Sequence, residues 1–596
     1  MDNEQTLPIG EQEVKGFLKT LQAYKAGKSR TESRILSSEN WWKLRNTAEE
    51  QKDGATRVEG FASRSGWLHN VIVSKHADAV EAYPAPNILP REQSDMPEAQ
   101  KLSAIIPCIL EQNCFEQTYS DVMWQKLKTG TGVYKVVWDA SRLNGLGDIA
   151  IERVNLLNLY WEPGVTNIQK SRFLFHTELM SKELLVGQYP QLAGRLKGNA
   201  FVSAKFLYDD SVSDTDKATV VDVYYRKQVG GKSTLQYCKF VDDVVLYATE
   251  NDFREGVDIY GNPKAAPAYA GLYDHGNYPF VFDTLYPIEG SPCGYGFVDL
   301  CRNPQTEIDL LKTAFVRNAR VGAVPRYFSR IDGNVREDQF LDLEQALVQV
   351  SGNVDEATLR RIEHSPLDGN YISLLDRTID ELRQTSGNTE ASAGVPTSGV
   401  TAASAIAALQ EAAGKGSRDS TMSAYRAYSQ VVELCISLIR QFYDMPRQFR
   451  VVGQYGLYQF VTYTNIGLLP QNQGEETGYR LPVFDIKISP QKRSVYTKVS
   501  QNELALQFFQ LGFFNPQLKD QALLCLEMMD FDGKDRIMQM VAQSGGLAPQ
   551  GMPAAGKAAI RLSQADAISG VEKKEHAIVE KARARAQTAA QPDREV

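Results

Sequence analysis

The sequence predicts an α+β fold carrying a projecting pair of helices, and three observations lead there. Hydrophobic periodicity changes from helical to strand-like at Gly130. Two helical stretches of similar length, 304–320 and 371–385, flank a short mixed insertion. A run of small residues then precedes one very long helical stretch. Size and composition agree: 596 residues are several times the ~150 of a single domain. A content of 43% hydrophobic and 23% charged residues is ordinary for folded protein.

Taken in order, residues 11–50 carry a helical stripe of Phe17, Leu18, Leu21 and Tyr24. A second helical stretch, 98–129, carries Leu102, Ile105, Cys108, Ile109 and Trp124, and Tyr83-Pro84-Ala85-Pro86-Asn87 between the two reads as a proline-rich connection. Trp41, Trp42, Trp124 and Trp138 read as core or interface anchors. Strands rich in β-branched and aromatic residues follow at 133–138, 148–154, 172–178, 219–226 and 235–247, closing near 279–282. They predict a largely antiparallel sheet.

The centre changes character. A helix over 304–320 is expected to open with Asn303 as cap and Pro304 at its first position, and to close at Gly322. The insertion 323–368 has strand-like segments at 326–329, 347–351 and 359–363 around a polar helix near 336–346. The helix over 371–385 aligns Ile372, Leu375, Ile379 and Leu382 on one face and stops at Gly387. The pair predicts a stalk with a knob at its tip. That apolar face would be exposed on an isolated stalk, so lateral packing between copies is expected to bury it.

From Gly387 to Gly399 the residues are small, with Glu390 the only charge, too poor in apolar bulk to pack a core. Such a run is an ordered loop only if something holds both of its ends. Thr401 can cap the helix that follows to 443, which would span roughly 60–65 Å, with Gly414 and Gly416 as its kink. Strands return at 447–465 and 480–489, helices at 500–542, and the Ala-, Gln- and charge-rich tail 546–596 is expected to be an exposed helix or partly disordered.

Enzyme signatures fail one by one. Gly231-Lys232-Ser233 suggests a phosphate loop, but the glycine required five positions earlier is Arg226, inside a strand, so a hairpin turn is expected. Gly130-Thr131-Gly132 opens like a dinucleotide fingerprint, yet Lys135 holds the third glycine position and a strand follows. No G-x-S-x-G elbow, C-x-x-C pair or H-E-x-x-H occurs. The six histidines and seven cysteines are scattered, which fits a reducing compartment. The acids Glu337, Asp338, Asp342 and Glu344 read as a solvated helix face. No catalytic residue, metal or cofactor is expected. No run approaches the ~18–20 apolar residues of a membrane helix, and the acidic Met1-Asp2-Asn3-Glu4 lacks a signal-peptide core. A formal charge of -8 argues against a tight nucleic-acid clamp while allowing one that touches DNA and releases it.

In this order the chain resembles the portal (head-to-tail connector) proteins of tailed bacteriophages. The resemblance is carried by His76-Ala77-Asp78-Ala79-Val80 leading into Tyr83-Pro84-Ala85-Pro86-Asn87, and by Thr129-Gly130-Thr131-Gly132-Val133-Tyr134 leading to Trp138-Asp139. Leu159-Tyr160-Trp161-Glu162-Pro163-Gly164, then Ser171-Arg172-Phe173, add to it, and the stretch from Gly387-Asn388 through Ser398-Gly399 to Gln410-Glu411 is the most telling. Similarity runs over approximately 30–545. The tail after 546 departs from it.

The resemblance implies a homo-oligomeric ring, usually of twelve subunits, at one capsid vertex of the virion, assembled in the host cytoplasm. Double-stranded DNA would be pumped through it by the terminase large subunit and later leave the same way. Capsid, scaffolding and tail adaptor proteins would be partners, and no membrane is implied. It also implies the layout. Residues 1–295 form the N-terminal region and wing, 296–322 and 369–387 the stem helices, and 323–368 the clip. Residues 388–400 form the channel loop, 401–445 the long kinked wing helix, 446–495 wing strands and 496–545 the crown, with 546–596 as tail. On this reading Asn388, Thr389, Glu390, Ser392, Val395, Pro396, Thr397 and Ser398 face DNA, Ile372, Leu375, Ile379 and Leu382 form the stem interface, and Lys312, Arg317 and Arg320 lie near DNA. The clip has five arginines against nine acids, and docks partners through Glu337, Asp338, Asp342, Glu344, Asp355 and Glu356. Competing expectations are a tail adaptor or minor capsid protein, which the stem–loop–helix order disfavours, and a DNA-packaging ATPase, which the missing Walker A disfavours.

Overall fold

The computed structural model describes residues 9–44, 64–196, 216–229, 232–251, 271–323, 327–329, 359–361, 368–388, 415–452, 458–472 and 479–490, and, within 507–541, residues 507, 508, 510, 511, 519–528, 537, 538 and 541. The chain divides into two compact units, Met1–Lys492 and Arg493–Val596.

The first unit opens with helices α1 (Glu11–Trp42) and α2 (Trp67–Glu81), strand β1 (Pro84–Pro90), and helices α3 (Met96–Gln112) and α4 (Phe115–Thr129). Strands β2 (Thr131–Asp139), β3 (Asp148–Arg153), β4 (Leu159–Trp161) and β5 (Phe173–Ser181) precede α5 (Lys182–Gln188). Next come β6 (Lys217–Val229), β7 (Lys232–Val241), β8 (Val244–Ala248), β9 (Phe280–Thr284) and the short β10 (Tyr286–Pro287) and β11 (Gly294–Tyr295). Helix α6 (Phe297–Ala323), strands β12 (Tyr327–Ser329) and β13 (Leu359–Arg361), and helix α7 (Gly369–Ser386) form the projecting part, and α8 (Lys415–Phe442) leads back. The unit closes with β14 (Arg447–Val452), β15 (Tyr458–Tyr463), β16 (Gln471–Asn472), β17 (Tyr479–Arg480) and β18 (Phe484–Pro490). The mixture is α+β, as the change of period predicts.

Two antiparallel sheets organise it. In the larger, of order β4-β5-β6-β7-β8, strand alternation serves two helices. Val221, Val223 and Tyr225 of β6 face Val14, Leu21 and Tyr24 of α1. Ala218 and Val220 point the other way, onto Leu185 of α5. Val229 pairs with Lys232, so β6 and β7 are adjacent antiparallel strands, with Lys232 and Ser233 in β7. The smaller sheet, β3-β2-β9, packs on α3, α4 and α8 in the main core. Lys28 fastens α1 to this body: its Nζ donates to the carbonyls of Leu156 and Leu159 and lies over the rings of Tyr160 and Trp161. Burial brings its ammonium down to about 8.

Four local expectations change. The stretch 98–129 is two helices, broken where Cys114 takes a left-handed φ of 48°. The strand 235–247 is likewise two, divided at Asp242 with φ 52°. The proline-rich connection is strand β1, paired antiparallel with β18 from Pro84↔Pro490 to Pro90↔Phe484; a two-stranded ribbon tolerates proline because one edge of each strand needs no donor. Helix α6 begins at Phe297, so Asn303 is not its cap. The Gly296 amide donates to the Asp299 carboxylate at 3.2 Å, and Pro304 sits inside the helix. Gly414, the clip acids other than Asp368, the polar helix expected near 336–346 and the tail 546–596 lie outside the described residues.

One buried ion pair ties the layers. Lys126 of α4 and Asp283 of β9 meet at 2.6 Å with both side chains fully buried. Lys126 also donates to the Ser420 carbonyl of α8 at 2.8 Å, and Ser423 of α8 donates to Asp283 Oδ1 at 3.0 Å. Gly130 follows α4 with φ 88°, and a Cβ there would stand 2.4 Å from the Tyr295 backbone, so the turn from α4 into β2 accepts only glycine.

The second unit is a small helical cluster in its described part: α9 (Lys519–Met528) buries Ala522 and Leu526 with Phe508 and Val541.

Removing one partner of the buried pair strands the other charge. Lys126→Met is expected to lower unfolding free energy by about 3–5 kcal/mol, and Lys126→Met/Asp283→Leu to recover most of it. Urea denaturation of the three proteins checks this.

Candidate functional site

The site is the helical hairpin of α6 and α7 and the point where its returning helix meets α8. At its base α6 buries Phe297, Val298, Cys301, Gln305 and Ile308 in a cluster with Trp41, Leu68, Val71, Ile72, Leu127 and Leu382. Gln305 and Asp309, one turn apart, clasp the start of α2. Gln305 Oε1 accepts from the Leu68 amide at 3.0 Å, while Asp309 Oδ1 accepts from the Ser65 amide at 2.8 Å and hydroxyl at 2.7 Å. Two cation–π contacts add to the base: Arg302 over Trp41 at 5.6 Å and Arg383 over Trp67 at 5.3 Å.

Beyond Asp309 the character reverses. Leu310 is 64% exposed, and Lys312, Arg317 and Arg320 are exposed. At the far end β12 and β13 pair antiparallel, Tyr327 opposite Arg361, and the chain returns through α7.

The four aligned residues of α7 separate into two groups. Leu382 is fully buried in the base cluster, and Leu375 and Ile379 pack against it. Ile372 is 55% exposed, with Tyr371 and Leu374 beside it also exposed. The expectation that this whole face stays uncovered in a single chain is therefore corrected. Its lower three positions are covered by the chain's own α2 and α6, because the hairpin is packed at its base and open only towards its tip.

Helix α7 ends as predicted at Gly387, whose φ of 64° is the left-handed C-cap conformation. The amides of Gly387 and Asn388 donate back to Gln384 and Arg383 at 3.1 and 3.0 Å. Here α2 takes hold. Lys75 is buried, and its Nζ donates to the Gly387 carbonyl at 3.3 Å and to Ser417 Oγ of α8 at 3.1 Å. Ser417 Oγ donates in turn to Asp78 at 3.0 Å, and Ser74 Oγ reaches Asn388 Oδ1 at 3.4 Å. Burial lowers the Lys75 ammonium from its usual range, and the Asp78 charge offsets part of this.

Of the loop residues singled out in the sequence, Asn388 lies at this junction. Thr389, Glu390, Ser392, Val395, Pro396, Thr397 and Ser398 lie outside the described residues, as do Glu337, Asp338, Asp342, Glu344, Asp355 and Glu356. Sequence reasoning missed Ser74, Lys75, Asp78 and Ser417. One signal was available: Lys75 falls in step with Val71, Ile72 and Ala79 on the buried face of α2, an unusual place for a lysine without a partner. Among the described residues no group of three or more His, Cys, Asp or Glu is placed to hold a metal ion, and no helix is long and apolar enough to cross a membrane.

An α+β body carrying a half-covered helical hairpin is consistent with a portal fold. The family model described as Phage P22-like portal protein matches residues 78–262 and 286–592, and the chain belongs to that family. It is thus a head-to-tail connector of tailed bacteriophages, of a structural rather than enzymatic family whose place is the capsid vertex. The match starts later than residue 30, where the sequence resemblance begins, and continues to residue 592, through the tail after 546 that departs from that resemblance. No curated protein matches the chain.

Because Leu382 belongs to the chain's own core, Leu382→Ala is expected to cost about 2–5 kcal/mol in the single subunit, whether or not copies associate. Denaturation at concentrations too low for assembly measures it.

Proposed function

We propose that the chain forms a ring, of twelve copies, whose axis carries double-stranded DNA into the capsid during packaging and out during ejection. In this reading α6 and α7 are the stem, 323–368 the clip, 388–400 the channel loop, the α+β body with 401–445 and 446–495 the wing, and 496–545 the crown. The observation that carries it is the outer half of the hairpin. Leu310, Tyr371, Ile372 and Leu374 present large apolar surface to solvent there. The outer half of α6 is basic, with Lys312, Arg317 and Arg320, while α7 exposes Asp376, Asp380 and Glu381 against Arg377. A head-to-tail neighbour would lay one helix type against the other, burying the apolar residues and pairing the charges. At 100° per residue the three cations of α6 spread over about 140° of its surface, so one can meet a neighbour while another faces the lumen.

The clip, with its excess of acids, is the docking surface for the terminase large subunit and then for tail adaptors, steered by complementary charge. Scaffolding and major capsid proteins would meet the wing. Asn388, Thr389, Ser392, Thr397 and Ser398 offer weak, exchangeable hydrogen bonds to passing DNA, and the net charge of -8 keeps the conduit from gripping phosphates.

Negative-stain images of the purified protein are expected to show rings with a central hole. Ile372→Asp/Leu374→Asp is expected to abolish them while leaving subunit melting unchanged; rings formed normally by this variant would rule out the stem interface.

Thr397→Arg/Ser398→Arg adds two cations per copy, and is expected to slow packaging and shorten the packaged DNA in procapsids. Deletion of the clip is expected to remove salt-sensitive terminase binding in the same preparations. Full-length packaging at the normal rate by intact Arg-bearing rings would take the loop away from the DNA.

A further inference from the structure

Helix α2 contributes a group that neither the stem nor the loop supplies. A single ammonium, Lys75 Nζ, stands 3.3 Å from the last carbonyl of the α7 cap and 3.1 Å from a hydroxyl at the start of α8. These two atoms belong to residues 387 and 417, thirty positions apart in sequence, yet one side chain holds them a few ångströms from each other. The contact is built from several sides. Ser417 is oriented by Asp78, one turn along α2 from Lys75, and Ser74 adds a contact to Asn388. The left-handed turn at Gly387 aims the carbonyl, and a Cβ there would lie 3.7 Å from Lys75 Nζ. The α2 backbone is itself fixed by Gln305 and Asp309 of α6. Lysine suits the position because an ammonium is a compact charge with three donors, enough for a carbonyl and a hydroxyl lying in different directions.

We infer that Lys75 is a positioning residue that clasps the end of α7 to the start of α8 and so fixes the spacing from which the intervening segment departs. Resting on the reading that this segment contacts DNA in the channel, the inference makes DNA passage sensitive to a side chain that itself touches no DNA. It also explains a cost: a lysine buried on the inner face of α2 is unfavourable for folding unless its ammonium has this work.

Amide hydrogen exchange on the full-length protein tests the clasp. Lys75→Met keeps the length of the side chain and removes all three donors. It is expected to speed exchange about tenfold at both 385–388 and 417–420, since loss of a charged hydrogen bond opens each end locally. Lys75→Arg is expected to restore protection, and Ser417→Ala to speed exchange at 417–420 alone. Faster exchange at only one end in Lys75→Met, or equal acceleration across 68–72 in the α2 core, would overturn the clasp in favour of general loosening. The same variants are then assembled into procapsids. Altered packaged length with Lys75→Met, rescued by Lys75→Arg, supports the full inference. Acceleration at both ends with unchanged packaging would leave the clasp standing and overturn the channel reading beneath it.

Discussion

The first unit depends on one buried charge pair. Lys126 and Asp283 are both sealed from solvent, and through Ser420 and Ser423 they bind α4, β9 and α8 at a single point. Such a pair is a poor source of net stability, because each ion surrenders its hydration. What it supplies is register. A long amphipathic helix such as α8 could slide by a turn along an apolar sheet with little loss of buried area; it cannot do so here without leaving a carboxylate and an ammonium unmatched. Asp283 Oδ2 is buried without a hydrogen-bond partner among the described residues, so the pair has little to fall back on if the helix shifts.

That fixed register is transmitted outward. In the first turn of α8, three residues before Ser420, Ser417 meets Lys75 and Asp78. The hairpin is set on the same support through Gln305, Asp309 and Leu382. The base of the hairpin is closed by the chain's own tryptophans and leucines, and the outer turns keep Leu310, Ile372 and Leu374 in water.

The sequence showed the plan more clearly than the joints. Helix α7 was legible because four apolar residues keep a strict helical spacing and a glycine ends it. The strands were legible because they are rich in β-branched and aromatic residues; β6, covered on both faces, reads as a near-continuous apolar run. Helix α2 was not legible, since its inward face mixes Val71 and Ile72 with Lys75, and an exposed and a half-buried histidine lie beside it. Those histidines stack on tryptophans, His69 on Trp42 at 4.1 Å and His76 on Trp124 at 3.7 Å, contacts that no hydrophobic period announces. Strand β1 was hidden by its three prolines. The small-residue run did show that an ordered loop there would need both ends held, but which side chains meet residues 387 and 417 is a tertiary fact, settled by residues more than three hundred positions away.

The pairing of β1 with β18 sets the timing of synthesis. Residue 84 finds its partner at residue 490, so this ribbon cannot close until about 400 further residues have left the ribosome. At about 5–20 residues per second that is a delay of tens of seconds. Throughout it, β1 offers unpaired edges while the apolar turns of α6 and α7 are already made.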